Sequence, residues 1–302
     1  MTIADLYQLS QDTLQALDSH YRPAMQQALA DAGLEGRHWG ILLFTQGVEP
    51  QSLSTVRLQE FSPYNAPESL AKRQAEAAEK GLLAPVESGY RLTEAGRSAL
   101  RASFGAVYQA LSTFEPLPAE EMRRLVDLLR RLVDASLAAP APDDKSHLLA
   151  SRKTDPGAEV SLAARIDQYL TDLNGFRDDV HVAAWQPTGL DGPTWEALTM
   201  VWRGDAGTAE ALAEKLTGRG WEPATYAAAL RSLAERGWLS EQAGTYSATD
   251  QGRAFRQQVE DDTDRLFYEP WSKLDDAEAQ ELRSLLSRLG ERARALQDGD
   301  KG

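Results

Sequence analysis

The sequence predicts a mainly α-helical protein that contains two copies of one unit, each with a small β-hairpin. The first observation behind this prediction is a repeat. The segment AGLEGRHW at residues 32–39 recurs as TGLDGPTW at residues 188–195, an offset of 156 residues (188 minus 32). A constant offset over many helix- and turn-terminating residues indicates a tandem duplication. The same offset relates Pro67 to Pro223, Gly81 to Gly237, Tyr90 to Tyr246, Thr93 to Thr249, Gly96 to Gly252 and Arg97 to Arg253.

The second observation is the size and composition of the chain. It has 302 residues, of which 42% are hydrophobic and 26% are charged, close to the average of globular proteins and long enough for two hydrophobic cores. No run approaches the ~18 apolar residues that a membrane span needs, and the first residues lack the pattern of a signal peptide. The absence of cysteine excludes disulfides and thiolate ligands. We therefore expect a cytoplasmic protein.

The region between the two copies reads as a linker. The segment AAPAPDDKSHLLASRKTDPGAEV is rich in Ala, Pro, Asp and Lys and has little apolar periodicity, which is typical of a connecting segment. The predicted boundaries are residues 1–137 for the N-terminal unit, 138–160 for the linker and 161–302 for the C-terminal unit.

Each copy begins with helices whose ends are marked by glycine and proline. The first helix is expected to end near Gly33 or Gly189, where glycine can adopt the left-handed conformation that terminates a helix. A second helix follows in HWGILLFTQ or TWEALTMVWRG, and then a short amphipathic one in SLSTVRLQEF or TAEALAEKL. A longer helix starts at Pro67 or Pro223, because proline suits the first helical turn. This order is the outline of a helix-turn-helix, with the longer helix as the recognition helix.

The residues after each recognition helix predict a hairpin and then long closing helices. LLAPVESGYRL and WLSEQAGTYSA each contain two short extended runs around a turn, at Ser88-Gly89 or Ala243-Gly244. A hairpin in this place is a wing. The repeated threonine suits the N-cap of the next helix, and the segments FEPL and YEPW lead into two leucine-rich helices. We expect those helices to pack together, which would pair the two units within one chain.

The order "RGWL, hairpin, Y-x-x-T-x-x-GR" resembles the winged helix-turn-helix signature of MarR-type regulators. The tandem arrangement, with DRLFYEPW at residues 264–271, more closely resembles an actinobacterial-type family of double winged-helix, SalK-like proteins. The resemblance covers most of residues 20–135 and 175–290. It implies two tandem winged helix-turn-helix units that form an intramolecular pseudo-dimer in a monomeric chain. For function it implies a MarR-like regulatory or ligand-responsive role.

Binding of double-stranded DNA would have to depend on local basic patches, because the net charge of −14 repels polyanions. The basic residues of the recognition helices and wings are interspersed with glutamates, so the electrostatic footprint is thin. A spacing of about 34 Å between the recognition helices would favour a DNA reader. Recognition helices that are buried or block each other would favour a sensor or interaction module. The candidate DNA-binding residues are Lys72, Arg73, Arg91, Arg231 and Arg236.

Two other classes of function remain open. One is a small-molecule sensor or protein-interaction module that keeps the fold without binding DNA, with Trp39, Trp195 and Trp202 lining a pocket for a small apolar ligand. Those rings can equally be core. The other is an enzyme, which the sequence disfavours because it contains no nucleophile–base pattern and no phosphate-binding loop. The four scattered histidines form no metal-ligand pair, so we expect no metal and no cofactor.

Overall fold

The computed structural model describes residues 4–299. Within them the chain is mainly helical and has two small antiparallel hairpins, as predicted. The first half contains α1 (Ala4–Asp31), α2 (Gly36–Gly47), α3 (Thr55–Phe61), α4 (Pro67–Glu79), β1 (Leu83–Val86), β2 (Gly89–Leu92), α5 (Glu94–Leu111) and α6 (Ala119–Ala138). Then follow α7 (Ser146–Arg152), α8 (Leu162–Trp185), α9 (Gly192–Arg203), α10 (Ala209–Lys215), α11 (Pro223–Glu235), β3 (Leu239–Gln242), β4 (Thr245–Ala248), α12 (Asp250–Tyr268) and α13 (Asp276–Gly299).

The helix-turn-helix and its wing are joined in both halves by a threonine cap. The Thr93 hydroxyl donates a hydrogen bond to the Gly81 carbonyl oxygen over 2.7 Å and accepts one from the Gly96 amide at 3.1 Å. Thr249 has the corresponding donor and acceptor distances, 2.7 and 3.1 Å. Each threonine therefore satisfies an orphan amide at the start of the closing helix and a carbonyl at the end of the recognition helix.

The hairpins pair in register, and each is joined by the segment before the short helix. Leu83 of β1 is opposite Leu92 of β2, and Leu239 of β3 is opposite Ala248 of β4. In the first half Leu53 forms an isolated bridge with β2, with backbone hydrogen bonds of 2.9 and 3.1 Å. These contacts hold each wing against its own helix-turn-helix.

Three hydrophobic cores hold the described residues together. One lies within α2–α5 and the first hairpin, and a second lies within α9–α12 and the second hairpin. The third and largest combines α1, α5, α6, α8, α12 and α13, and includes the fully buried Leu129 and Phe267. The two leucine-rich helices α6 and α13 both contribute to it, as expected. The halves thus share a central core and carry one winged unit each.

The predicted linker contains a packed helix that the sequence did not indicate. Helix α7 lies against α2 and α8, with Leu148 fully buried. The Asp179 carboxylate accepts hydrogen bonds from the His147 and Leu148 amides at 2.9 and 3.0 Å, which stabilises the N-terminal end of α7. The partner of this helix is thus on α8, some thirty residues further along the chain, and a local reading of composition could not find it.

Candidate nucleic-acid interface and ligand cavity

The structure places the five candidate DNA-binding residues in two situations. Lys72, Arg91, Arg231 and Arg236 are exposed, and the Arg236 guanidinium lies 5.3 Å from the Trp238 ring centroid. Arg73 is half-buried and donates a hydrogen bond to the Gly218 carbonyl oxygen in the other half. Burial, with the charges of Arg37 and Arg219, lowers the pKa of Arg73. Four of the five cations are therefore available to a polyanion.

The start of the first recognition helix is docked on the second half. The Ala66 amide donates to the Arg219 carbonyl oxygen at 2.8 Å, and the Asn65 side-chain amide donates to Gly218 O at 3.2 Å. The Trp221 indole donates to Tyr64 O at 2.7 Å. We call this contact between residues 62–69 and 216–221 the α4 docking contact. At the start of an isolated helix, such backbone groups would bond to water. Here the hydrogen bonds of the docking contact satisfy them.

The docking contact brings the N-terminal ends of α4 and α11 close together. A Cβ built on Gly220 would lie 2.6 Å from Ser69 Cβ. Since three residues span at most about 11 Å, the Cα atoms of Ser69 and Pro223 are at most about 17 Å apart. Residues near the N-terminus of a recognition helix are the ones that contact base edges, and successive major-groove sites are about 34 Å apart. In this conformation the two helix starts do not have that spacing.

An apolar cavity of about 370 Å³ lies between α1, α2, α5, α7 and α8. Its walls include the rings of Tyr21, Trp39, Phe44 and Phe104. The Trp39 indole donates a hydrogen bond to Ser103 Oγ at 3.0 Å, and its ring centroid is 5.9 Å from that of Phe104. Trp39 therefore lines this cavity. The volume is within the range of small-molecule sites.

Helix α8 supplies a polar stripe to this otherwise apolar cavity. Asp167, Thr171, Asn174 and Asp178 all line it, and spacings of 4, 7 and 11 residues place them on one helix face. Burial raises the pKa of Asp167 to about 7, against the effect of a hydrogen bond with Tyr21. Asp167 Oδ1 has no hydrogen-bond partner among the described residues. This carboxyl group therefore lacks a balancing cation.

Asp178 lies at the other end of the stripe. The surrounding protein raises the pKa of its carboxyl group to about 6, although His147 and Arg177 act in the opposite direction. It remains accessible because it lines this cavity and the neighbouring one. No local signal in the sequence marks either aspartate. Carboxylates on a helix are usually solvated, and it is the packing of α1 and α5 against α8 that partly encloses Asp167.

The corresponding place in the second half is occupied by charged side chains. A cavity of about 420 Å³ there is lined by Arg177, His181, Trp195, Arg256 and Glu260, among others. The Arg256 side chain is 1% exposed and pairs with Glu260 at 2.5 Å. Burial lowers the pKa of His181 to about 4, so this imidazole is neutral at pH 7.

The other two predicted pocket residues surround this arginine. The Arg256 guanidinium lies 4.5 Å from the Trp195 ring centroid and 5.0 Å from that of Trp202. These rings therefore form cation–π contacts with a side chain of the protein itself. The structure thus places Trp39 in one cavity and Trp195 in the other, with Trp202 against the Arg256 guanidinium, and does not bring the three together.

His147, on helix α7 of the predicted linker, contacts elements of both halves of the chain. Its Nδ1 lies 2.8 Å from Asp179 Oδ1 and its Nε2 lies 2.9 Å from Phe61 O. Burial disfavours the charged imidazole, but the hydrogen bond and charge of Asp179 outweigh it and raise the pKa of His147. Both neighbours are acceptors, so the protonated ring, which donates from both nitrogens, fits this place. The contact joins α3 to α7 and α8.

The part of the chain that the structure describes contains neither a metal-binding cluster nor a membrane-spanning helix. Residues 4–299 contain no group of three or more His, Cys, Asp or Glu side chains placed to hold a metal ion. None of the described helices is long and apolar enough to cross a membrane.

The order of helix-turn-helix, hairpin and capped closing helix in each half is consistent with a winged helix-turn-helix type of protein. A family model described as a helix-turn-helix family matches residues 98–298, two thirds of the chain. The chain belongs to this helix-turn-helix family. No curated protein and no solved structure matches it significantly.

Proposed function

We propose that this protein is a ligand-responsive, MarR-like transcription regulator that reads DNA as a monomeric pseudo-dimer. The observation that supports it best is the position of the 370 Å³ cavity. Its walls include α2, which belongs to the first helix-turn-helix, and α8, which leads directly into the second. A ligand there touches both halves and can favour one relative arrangement of the recognition helices over another.

DNA contact would use the exposed cations of the recognition helices and the first wing. Lys72 and Arg231 lie in the middle of α4 and α11, and Arg91 lies on β2. Nearby glutamates reduce the local positive charge, so we expect modest affinity and a shallow dependence on salt. The docked conformation does not offer two recognition sites one DNA turn apart. The DNA-reading state therefore requires the α4 docking contact to open.

The test is a salt titration of binding to random DNA and to DNA from the protein's own promoter, followed by fluorescence anisotropy. We expect the triple variant Lys72→Glu/Arg91→Glu/Arg231→Glu to lose binding. The control triple variant changes Arg123, Lys273 and Arg292 to Glu, which alters the net charge equally at exposed positions outside the winged units. Equal loss in both triple variants would mean that net charge decides binding, and would contradict a specific DNA surface.

A second candidate function is a small-molecule sensor or protein-interaction module that does not bind DNA. The α4 docking contact favours it, because four hydrogen bonds described above hold the start of the recognition helix against the second half. In that case the protein binds neither random DNA nor promoter DNA at low salt, even when the docking contact is opened by mutation.

A further inference from the structure

We propose that the cavity between α1, α2, α5, α7 and α8 binds an apolar molecule with a positively charged amino group, anchored by Asp167. The inference rests on the proposed function, because it names the chemical class of the ligand at that site. The predicted head group is a positively charged amine. Anionic and neutral ligands of the same shape are the alternatives that the experiment separates.

The geometry gives the cavity one apolar side and one acidic side. Aromatic rings from α1, α2 and α5 form the apolar side, and α8 contributes Asp167, Thr171, Asn174 and Asp178. Among the titratable groups that face it, the Asp167 carboxyl meets Tyr21 and Asp18 of α1, neither of which supplies positive charge. Its Oδ1 is buried and without a partner in the described chain. An ammonium group would supply both the missing donor and the missing charge.

In the second half, the protein's own side chains supply the positive charges at the equivalent positions. At the offset of 156 residues, Arg256 corresponds to Leu100 and Arg177 corresponds to Tyr21. The second half therefore holds two buried guanidinium groups, with Arg256 between two tryptophan rings and paired with Glu260. The first half has Leu100 and Tyr21 at those positions and Phe104 at that of Glu260, so both members of the ion pair are replaced, and the acids of its cavity come instead from α8. Among the described residues, the basic side chain that lines this cavity is His147, which is held by Asp179 and Phe61 O, so an external amine would supply the positive charge at Asp167.

Asp167 is a better anchor than Asp178. His147 and Arg177 lie close enough to Asp178 to offset part of its negative charge, whereas Asp167 has no basic neighbour that does so. The two residues are 11 positions apart on α8, or about 16 Å along the helix axis. An amine bound at one carboxylate therefore extends its apolar body along the rings towards the other. Rings of this kind also attract the cation itself through their π faces.

The experiment compares three probes with one apolar body: 4-phenylbutylamine, 4-phenylbutanol and 4-phenylbutyrate. Binding to the full chain is measured by isothermal titration calorimetry at pH 8. We expect the amine to bind about tenfold or more tightly than the alcohol and the acid. Asp167→Asn should remove that preference, because it weakens amine binding more than alcohol binding. Asp12→Asn, on an exposed face of α1, removes the same charge elsewhere and should bind like the wild type.

Asp178→Asn provides a second measurement on the same stripe, and we expect it to weaken amine binding less than Asp167→Asn. The proposal is overturned if the acid or the alcohol binds as well as the amine, if none of the probes binds, or if Asp167→Asn keeps the preference. Circular dichroism establishes that each variant is folded.

The outcome is independent of the DNA titration. Selective amine binding without DNA binding would keep this inference and refute the regulator. DNA binding that responds to the alcohol but not to the amine would support the regulator and refute the amine site.

Discussion

At the scale of single residues, Asp167 is a half-buried acid with a buried Oδ1 atom, and the fold keeps it at a cost in stability. In an unfolded chain an aspartate ionises near pH 4, but burial raises the pKa of Asp167 to about 7. Between these values the folded protein retains a proton that the unfolded chain has lost, so the free energy of unfolding falls as pH rises. Above pH 7 the full cost is present. A residue that is costly to fold and lines a cavity is typical of a functional site.

Asp167→Asn should therefore stabilise the ligand-free protein at pH 8 by something on the order of 2 kcal/mol, and by much less at pH 4. The measurement is chemical denaturation at the two pH values, with Asp12→Asn as the control for removal of one charge. A lower stability of Asp167→Asn at pH 8 would mean that the carboxylate is well satisfied in the fold, contrary to the structure.

The same scale shows what a sequence can and cannot reveal. The caps Thr93 and Thr249 were predictable because their partners, the glycines at the helix ends, lie within twelve residues of chain. Trp39 was a candidate because aromatic residues are concentrated near the junctions of the units, and its role in binding a ligand stays a prediction. Asp167 could not be predicted, because the partners that bury it are on α1 and α5, over fifty residues away, and an acid on a helix usually faces water.

At the scale of elements, the α4 docking contact decides which face of the recognition helix is free. Gly220 is at its centre with φ +79°, and an added Cβ would lie 2.6 Å from Ser69 Cβ. Gly204 has nearly the same φ, +78°, but an added Cβ would meet nothing within 4 Å. Alanine at either position therefore pays for the left-handed backbone, about 1 kcal/mol, and only Gly220→Ala also pushes against α4.

We expect Gly220→Ala, but not Gly204→Ala, to open the docking contact. Hydrogen exchange at the Ala66 amide, which donates to Arg219 O, should become faster in the first variant only. If the docked state is the one that does not read DNA, Gly220→Ala should also bind promoter DNA more tightly than Gly204→Ala. Equal exchange in the two variants would show that Ser69 can adapt without moving the helix.

Most elements were predictable from local signals, and the docking contact was not. Pro67, Pro223 and the glycines of the repeat terminate helices through their own backbone preferences. In contrast, the contact of residues 62–69 with 216–221 joins segments about 150 residues apart, and α7 depends on Asp179 of α8. Hydrogen bonds of this kind follow from how the two halves pack, which a periodic pattern does not encode.

At the scale of the whole molecule, the central core ties the two winged units together. Helices α1, α5 and α6 of the first half and α8, α12 and α13 of the second share one hydrophobic cluster. Phe267, which is 0% exposed, lies in it, with its ring 5.3 Å from that of Tyr7 and 6.1 Å from that of Phe176. Since neither half encloses this core alone, we expect the halves to unfold together.

Phe267→Ala should then lower the free energy of unfolding by about 3–5 kcal/mol, through lost burial and the cavity left behind. Because the core is shared, hydrogen-exchange protection should fall in both recognition helices, α4 and α11, although neither touches the mutated site. Leu149→Ala, at a side chain that is 52% exposed, is the control and should change protection little. Loss of protection in α11 alone would show that each half is stable by itself, and the two recognition helices could then not respond as a pair to one ligand.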